Sequence, residues 1–170
     1  MPPHVFKRTD GFEPEDFIHS GIDHVNAAES LFKASPSFFD SAGYLVHMGF
    51  ELILKAWHLE AFGEFCGIHS LQDLAQQLQK KGQKKGQKLN LLKEETEALE
   101  IADKYGELRY PNPKKGVEVG SDDWNKLDAL LNRIWEQTPT AFDGYFQSID
   151  PTRKGGRVLM ERKIEKPNDT

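Results

Sequence analysis

The sequence predicts an all-α fold, an antiparallel helical bundle of about five helices. Five stretches carry apolar residues at helical spacing, the connections between them are mostly short, and no stretch alternates with a sustained two-residue period. The 170 residues suit one domain with a sizeable core. We expect an N-terminal tail at 1–13, the bundle at 14–149 and a flexible, charged C-terminal tail at 150–170.

The first two helices follow from the apolar spacing. The first should cover about 14–34, because Pro14 with acidic neighbours is a helix-start signal. The second should run from about 37 to 61, after Ser35-Pro36-Ser37 has ended the first. It is apolar on two opposite flanks, so we expect both flanks to be buried. One polar sector separates the flanks and holds Tyr44, His47, Glu51, Lys55 and His58.

The third and fourth helices lie on either side of a basic segment. Ser70 can cap a third helix that begins at Leu71. Residues 80–88, KKGQKKGQK, contain two glycines and should form a mobile loop. The fourth helix is expected at about 89–108, and Pro111 stops it.

The fifth helix is rich in aromatic residues. Ser121-Asp122-Asp123 is its cap signal, and Pro139 should kink or break it while residues up to Ile149 keep the phase of its apolar stripe. Together with the two apolar flanks of the second helix, this stripe is more apolar surface than a small bundle needs for its core. We therefore expect a homodimer.

Composition excludes several classes of function. The formal net charge of −5 gives no overall attraction to nucleic acid, and the lysines of 80–88 have no aromatic residues among them for base stacking. The single cysteine, Cys66, cannot form an internal disulfide. No signal-like N-terminus or run of about 20 apolar residues is present, so a cytoplasmic protein without membrane contact is expected.

The polar sector of the second helix has two interpretations. Glu51 and Lys55 stand in the favourable i, i+4 order and can form a salt-bridged seam. Alternatively, Lys55 offers its ammonium to a phosphate, with Glu51 fixing its rotamer and His47 or His58 beside the cleft. The two interpretations remain open on the spacing alone.

Arg109-Tyr110-Pro111 at the end of the fourth helix is a second candidate. Because proline halts the helix, Arg109 projects from a fixed terminus and can bind a carboxylate or phosphate through two hydrogen bonds. It can equally cap the last carbonyls of its own helix.

Motifs for metals and common cofactors are missing. The six histidines form no His-x-x-x-His pair, and none is spaced with Cys66 as in a metal site. Walker-type and Rossmann-type glycine motifs are absent. We therefore assign no metal, no cofactor and no catalytic residue.

Three motifs occur together and resemble the HEPN domain family. They are Ala42…Glu51-Leu52-x-x-Lys55-Ala56 on a buried helix, Gly63 followed by His69-Ser-Leu-x-x-Leu74, and Arg109-Tyr110-Pro111. The resemblance covers about residues 14–148. It implies a bundle of four or five helices, usually homodimeric, and an association with nucleotides, nucleotidyltransferase partners or RNA cleavage.

The chain departs from the ribonuclease members of that family. Many of these carry an arginine followed by four to six residues and then a histidine, which supply phosphate stabilisation and proton transfer. No arginine of this chain has a histidine at that distance: Arg8, Arg109, Arg133, Arg153, Arg157 and Arg162.

The leading hypothesis is a non-catalytic, homodimeric HEPN-type protein that binds a nucleotide or other phosphorylated ligand between the second helix and the end of the fourth. Lys55 and Arg109 would contact phosphate. The expected ligand-binding residues are Lys55, Arg109, Glu51, His47, His58 and Tyr110. Two alternatives remain open: an interaction module that partners a nucleotidyltransferase, as in toxin–antitoxin pairs, and a divergent ribonuclease.

Overall fold

A computed structural model describes residues 1–82, 88–110, 113–114 and 116–142. Its regular structure is almost entirely helical, so the all-α prediction is confirmed. The α-helices are α1 Pro14–Ala34, α2 Phe39–Phe62, α3 Leu71–Gly82, α4 Lys93–Lys104 and α5 Asp123–Gln137. Two short strands, β1 Val5–Lys7 and β2 Glu64–Cys66, and the 3₁₀ segments Arg8–Asp10, Pro36–Phe38 and Tyr105–Arg109 complete the described elements.

Helices α1 and α2 pack against each other through two glycines. A Cβ atom on Gly21 would lie 2.9 Å from Cγ1 of Ile53, and one on Gly49 would overlap Cγ2 of Val25. Since glycine has no Cβ, the two backbones can approach more closely than any other residue would allow. This crossing makes α2 the centre of the bundle.

The burial of α2 agrees with its two apolar flanks. Phe50, Ile53 and Trp57 are at most 1 % exposed, whereas Leu45 and Leu52 on the other flank are half-buried. Helix α2 ends at Gly63, whose φ of 73° lies in the left-handed region that favours glycine.

The fourth helix differs from the prediction of one helix over 89–108. Only Lys93–Lys104 is α-helical, and the 3₁₀ segment Tyr105–Arg109 follows it. Residues 88–92 lie outside any helix, because the Gln137 side chain accepts from the Asn90 N–H at 2.7 Å and donates to the Asn90 carbonyl at 2.9 Å. The bond to the Asn90 carbonyl occupies an acceptor that a helix beginning at 89 would use for itself.

Helix α5 is capped differently from the prediction. The carboxylate of Asp123 accepts the Gly120 N–H at 2.9 Å and the Tyr105 hydroxyl at 2.6 Å, and Asp122 makes no side-chain cap. The helix ends at Gln137, so of the two outcomes expected at Pro139, a kink or a break, the structure shows the break. Residues 143–149 lie outside the described part of the chain.

The apolar faces that predicted a dimer are covered within one chain. Trp135 of α5 is 1 % exposed and Trp124 is 9 % exposed, with its ring 5.4 Å from that of Phe32 in α1. The fully buried Phe142 also packs against Trp135. These faces therefore do not by themselves require a second copy.

The N-terminal residues, expected to be a tail, contribute a strand. β1 pairs antiparallel with β2, with Phe6 opposite Phe65. The two rings stack at 5.2 Å, and Phe12 and Phe17 pack on Phe65. The ribbon thereby ties the N-terminus to the segment that joins α2 to α3.

Two predicted segments remain largely outside the described residues. Residues 80–82 end α3, but 83–87 of the predicted basic loop are not described, and neither is the predicted tail at 150–170. None of the helices that are described has the length and apolarity needed to cross a membrane.

Candidate functional site

The polar sector of α2 is buried around one carboxylate. Oε1 of Glu51 accepts from Nζ of Lys55 at 2.5 Å and from Nδ1 of His69 at 2.9 Å. Nε2 of His47 lies 3.6 Å from Oε2 of the same group. The side chains of His47, Glu51 and Lys55 are only 6–7 % exposed. We refer to Glu51 and these three partners as the Glu51 network.

The surroundings favour a charged carboxylate at Glu51. Burial alone would raise the pKa of Glu51, but the nearby His47 ring, the hydrogen bond from Lys55 and the charge on Lys55 outweigh burial and hold that pKa at about 2. Burial likewise works against a charged His47. The Glu51 carboxylate and the Ala102 carbonyl outweigh it, so that the pKa of His47 lies above its ordinary 6.5.

Lys55 lies behind Glu51, away from solvent. Its ammonium is paired with Glu51 and stands 5.4 Å from the centre of the Phe65 ring. The salt bridge between Glu51 and Lys55 is therefore observed in the structure. In this position Lys55 holds the Glu51 carboxylate in place and balances its charge.

His58, also expected in the site, faces a different element. Its Nε2–H donates to the Leu74 carbonyl of α3 at 3.0 Å, and burial is the main cause that lowers the pKa of His58 to about 4. His58 thus fastens α2 to α3 as a neutral imidazole.

A cleft of about 360 Å³ opens beside the Glu51 network. Helix α2, the residues that precede α3, the end of α4 and the 3₁₀ segment after it form its walls. The lining residues are Tyr44, His47, Met48, Glu51, His69, Ser70, Asp103, Gly106, Glu107, Arg109 and Tyr110. Four of the six expected ligand-binding residues thus share one cleft, while Lys55 and His58 lie outside its lining.

The 3₁₀ segment reaches α2 through Gly106. A Cβ atom there would lie 2.7 Å from Cε1 of His47 and 2.9 Å from its Nε2. The His47 Nδ1–H also donates to the Ala102 carbonyl at 3.1 Å, so the imidazole is held by α4 on one side and by Glu51 on the other. This contact sets the position of the segment that carries Arg109.

Arg109 and Tyr110 form the rim of the cleft. Both are exposed, Tyr110 to 71 %, and the Arg109 guanidinium lies 5.5 Å from the centre of the Tyr110 ring. Within the described part of the chain, Arg109 forms no hydrogen bond or ion pair and caps no carbonyl. Its donors are therefore directed to solvent beside the cleft.

His69 and Asp103 are two of the seven lining residues that the predicted ligand-binding set lacks. Asp103 accepts the Leu71 N–H at 2.7 Å and the Ser70 hydroxyl at 3.2 Å, while the Ser70 oxygen accepts the Asp73 N–H as the predicted cap. His69 is 18 residues from Glu51, and Asp103 is 32 residues from Leu71. Residue spacing in the sequence cannot predict contacts between positions so far apart, although His69 belongs to the His69-Ser-Leu-x-x-Leu74 motif.

The site offers no ready-made metal centre. In the residues that the structure describes, no group of three or more histidine, cysteine, aspartate or glutamate side chains is arranged to hold a metal ion. Glu51 already accepts hydrogen bonds from Lys55 and His69, and the Asp103 carboxylate is occupied at the start of α3.

Comparison with protein families gives one result. The family model for the HEPN domain matches residues 14–136, a span that begins with α1 and ends in α5. Searches of curated proteins and of solved structures gave no match.

Proposed function

The chain belongs to the HEPN domain family, and on that premise we propose that it is a non-catalytic member that binds a nucleotide or another phosphorylated ligand in the cleft. The observation that carries the proposal is the exposure of the two residues at the rim of the cleft. Arg109 is exposed beside the cleft with its donors uncommitted among the described residues, and the exposed ring of Tyr110 adjoins it.

Each part of the cleft has a chemical role in this proposal. The planar Arg109 guanidinium can give a phosphate two parallel hydrogen bonds, and the Tyr110 ring offers a face on which a nucleobase can stack. Glu51 holds the His69 imidazole at the cleft, and Lys55 keeps Glu51 charged and fixed. The phosphate contact first expected of Lys55 thus becomes a supporting role.

Calorimetric titration of the purified chain with nucleotides tests the proposal. Replacing Arg109 by alanine should weaken binding at least about tenfold, because a hydrogen bond to a charged group contributes roughly 1.5–3 kcal/mol. The matched control is Lys93→Ala, which removes one positive charge from a side chain that is 86 % exposed on α4 and outside the cleft lining.

Two results would end the proposal: no nucleotide binding by the parent, or equal binding by the parent and Arg109→Ala. Lys55→Ala should also weaken binding, but through displacement of Glu51, so its folding must be verified by circular dichroism. A stoichiometric protein partner that co-purifies with the ligand-free chain would favour the interaction module, with a nucleotidyltransferase as the partner to seek.

The proposal includes a homodimer, the usual assembly of the family. The exposed apolar residues Phe38 and Leu92 are available for such a contact. Sedimentation equilibrium should give twice the monomer mass of 19.4 kDa at micromolar concentration. A monomer mass across the concentration range would remove this part and leave ligand binding untouched.

One observation favours a second candidate, a divergent ribonuclease. Glu51 accepts the His69 Nδ1–H at 2.9 Å, which orients the imidazole as a carboxylate does in many acid–base sites. Incubation with total RNA should then show cleavage that disappears in His69→Ala. Intact RNA would exclude this candidate.

A further inference from the structure

We propose that the cleft selects ligands that end in a single phosphate monoester, with His69 and Arg109 as the two groups that meet the phosphate, and rejects polyphosphate chains. The inference rests on the proposed function, because it specifies the class of phosphorylated ligand. It adds His69 to the ligand-binding set and predicts an order of affinity among nucleotides.

The first step is the geometry of His69. The Nδ1–H of its ring is committed to Oε1 of Glu51 at 2.9 Å, while its side chain is 68 % exposed and lines the cleft. Fixing Nδ1 as the donor leaves Nε2 as the nitrogen available to a ligand. Among the described residues, none forms a hydrogen bond with this Nε2.

The second step is the chemistry of a monoester. A phosphate monoester has a second pKa of about 6, so one of its oxygens can carry or share a proton near neutral pH. An imidazole nitrogen can accept such a proton or donate one. Internal phosphates of a polyphosphate chain are joined through anhydride bonds and have no comparable second proton, so the fixed imidazole favours a terminal phosphate. The preference for a single phosphate over a polyphosphate comes from the charge around the cleft.

The third step is the charge around the cleft. Its lining contains three carboxylates, Glu51, Asp103 and Glu107, against His47, His69 and Arg109. The charge of Glu51 is already balanced by Lys55 and His47, and Asp103 occupies the first N–H of α3, so that this helix start is not open to an anion.

One phosphate can be matched by Arg109 and His69. Each further phosphate adds negative charge near the carboxylates, and the remaining basic residue of the described lining, His47, is already engaged by Glu51. The volume agrees, because about 360 Å³ lies near the lower end of the roughly 300–1,000 Å³ typical of ligand pockets. A nucleoside monophosphate is a suitable size for such a cleft.

Calorimetric titrations of the full chain can rank defined probes. They are AMP, ATP with and without Mg²⁺, ribose 5-phosphate, adenosine and inorganic phosphate. We expect AMP to bind at least tenfold more tightly than ATP under both Mg²⁺ conditions, and adenosine to bind more weakly than AMP. Comparing AMP with ribose 5-phosphate shows whether the base adds affinity or the phosphate monoester suffices.

The variants separate His69 from a general effect of histidine loss. His69→Ala should weaken AMP binding about fivefold or more and reduce the preference for AMP over ATP. The control is His24→Ala on α1; the His24 ring hydrogen-bonds the Ser20 carbonyl at 2.6 Å and does not line the cleft. Since His69 is mostly exposed, both variants should fold, and their thermal midpoints verify it.

Several outcomes overturn the inference. ATP binding as tightly as AMP or more tightly, with or without Mg²⁺, contradicts the selection for a single phosphate, yet leaves the proposed function intact if Arg109→Ala abolishes that binding. AMP affinity unchanged in His69→Ala removes His69 from the site. If no probe binds, the inference and the proposed function fail together.

Discussion

The Glu51→Gln substitution should destabilise the protein strongly and in a pH-dependent way. The side chain is 6 % exposed and its pKa is held at about 2, compared with an ordinary value of 4.5. At roughly 1.4 kcal/mol for each pKa unit, this difference corresponds to about 3 kcal/mol of folding free energy. Glutamine keeps the shape but removes the charge, and leaves the Lys55 ammonium buried without a counter-ion.

The direction of this pH dependence follows from the lowered pKa of Glu51. A carboxylate whose pKa is lower in the folded than in the unfolded state stabilises the protein above the unfolded value, and this stabilisation is lost as the pH falls through the folded value. The parent should therefore exceed Glu51→Gln by about 3 kcal/mol near pH 6, and the difference should shrink steadily between about pH 5 and pH 2.

Urea denaturation followed by circular dichroism across this range measures the difference. The matched control is Glu29→Gln, because Glu29 pairs with Lys33 at the same i, i+4 spacing on the surface, at 2.7 Å. It should cost only about 0.3–0.5 kcal/mol. A second check is Lys55→Met in the Glu51→Gln background, which should restore part of the lost stability by removing the unpaired ammonium.

Two results would refute the reasoning. One is a difference between parent and Glu51→Gln that is as small as that of the surface control. The other is a difference that stays constant from pH 6 to pH 2, since the stabilisation would then have a cause other than the charge on Glu51.

Three further predictions concern the packing around the site. The pKa of His47 is raised in the folded state, so its charged form stabilises the fold below about pH 6.5. This stabilisation is lost as the pH rises through the higher folded pKa. The difference in stability between the parent and His47→Gln, measured by urea denaturation, should therefore decline with rising pH. Gly106→Ala should cost about 1–3 kcal/mol, because the methyl group would press on the His47 ring, whereas Gly116→Ala, with nothing within 4 Å, should leave the urea midpoint nearly unchanged. Gly49→Ala should lower the thermal midpoint markedly by forcing α1 and α2 apart at Val25, and an unchanged midpoint would contradict the described crossing.

The sequence predicts the helices well where local signals decide their bounds. α1 runs over Pro14–Ala34, as expected from Pro14 and the apolar spacing, and α2 begins and ends within two residues of the predicted bounds. The fourth helix is shorter than predicted because Gln137 of α5 bonds to the backbone of Asn90. The two residues are 47 positions apart in the sequence, so no local pattern could predict this contact. The strand β1 is only three residues long, too short to show an alternating pattern.

The contacts of the candidate site are likewise predictable only where helical spacing sets them. The Glu51/Lys55 pair follows from helical spacing and is observed. His58 shares the helical sector of Glu51 but lies seven residues further on, about 10 Å along the axis, where α3 covers it. His69 reaches Glu51 only because β2 and the turn after it bring the start of α3 back to α2.

Residue-resolved NMR of the ¹⁵N-labelled chain during titration with AMP tests the central claim most directly, since it detects both binding and its location. The cleft proposal predicts saturable shifts concentrated at the residues that line the cleft, including Tyr44, His69, Gly106, Arg109 and Tyr110. Residues of α1, none of which lines the cleft, such as Glu29, should remain unaffected. An unchanged spectrum at millimolar AMP, or saturable shifts confined to residues outside the cleft, would contradict the claim that this cleft binds a phosphorylated ligand.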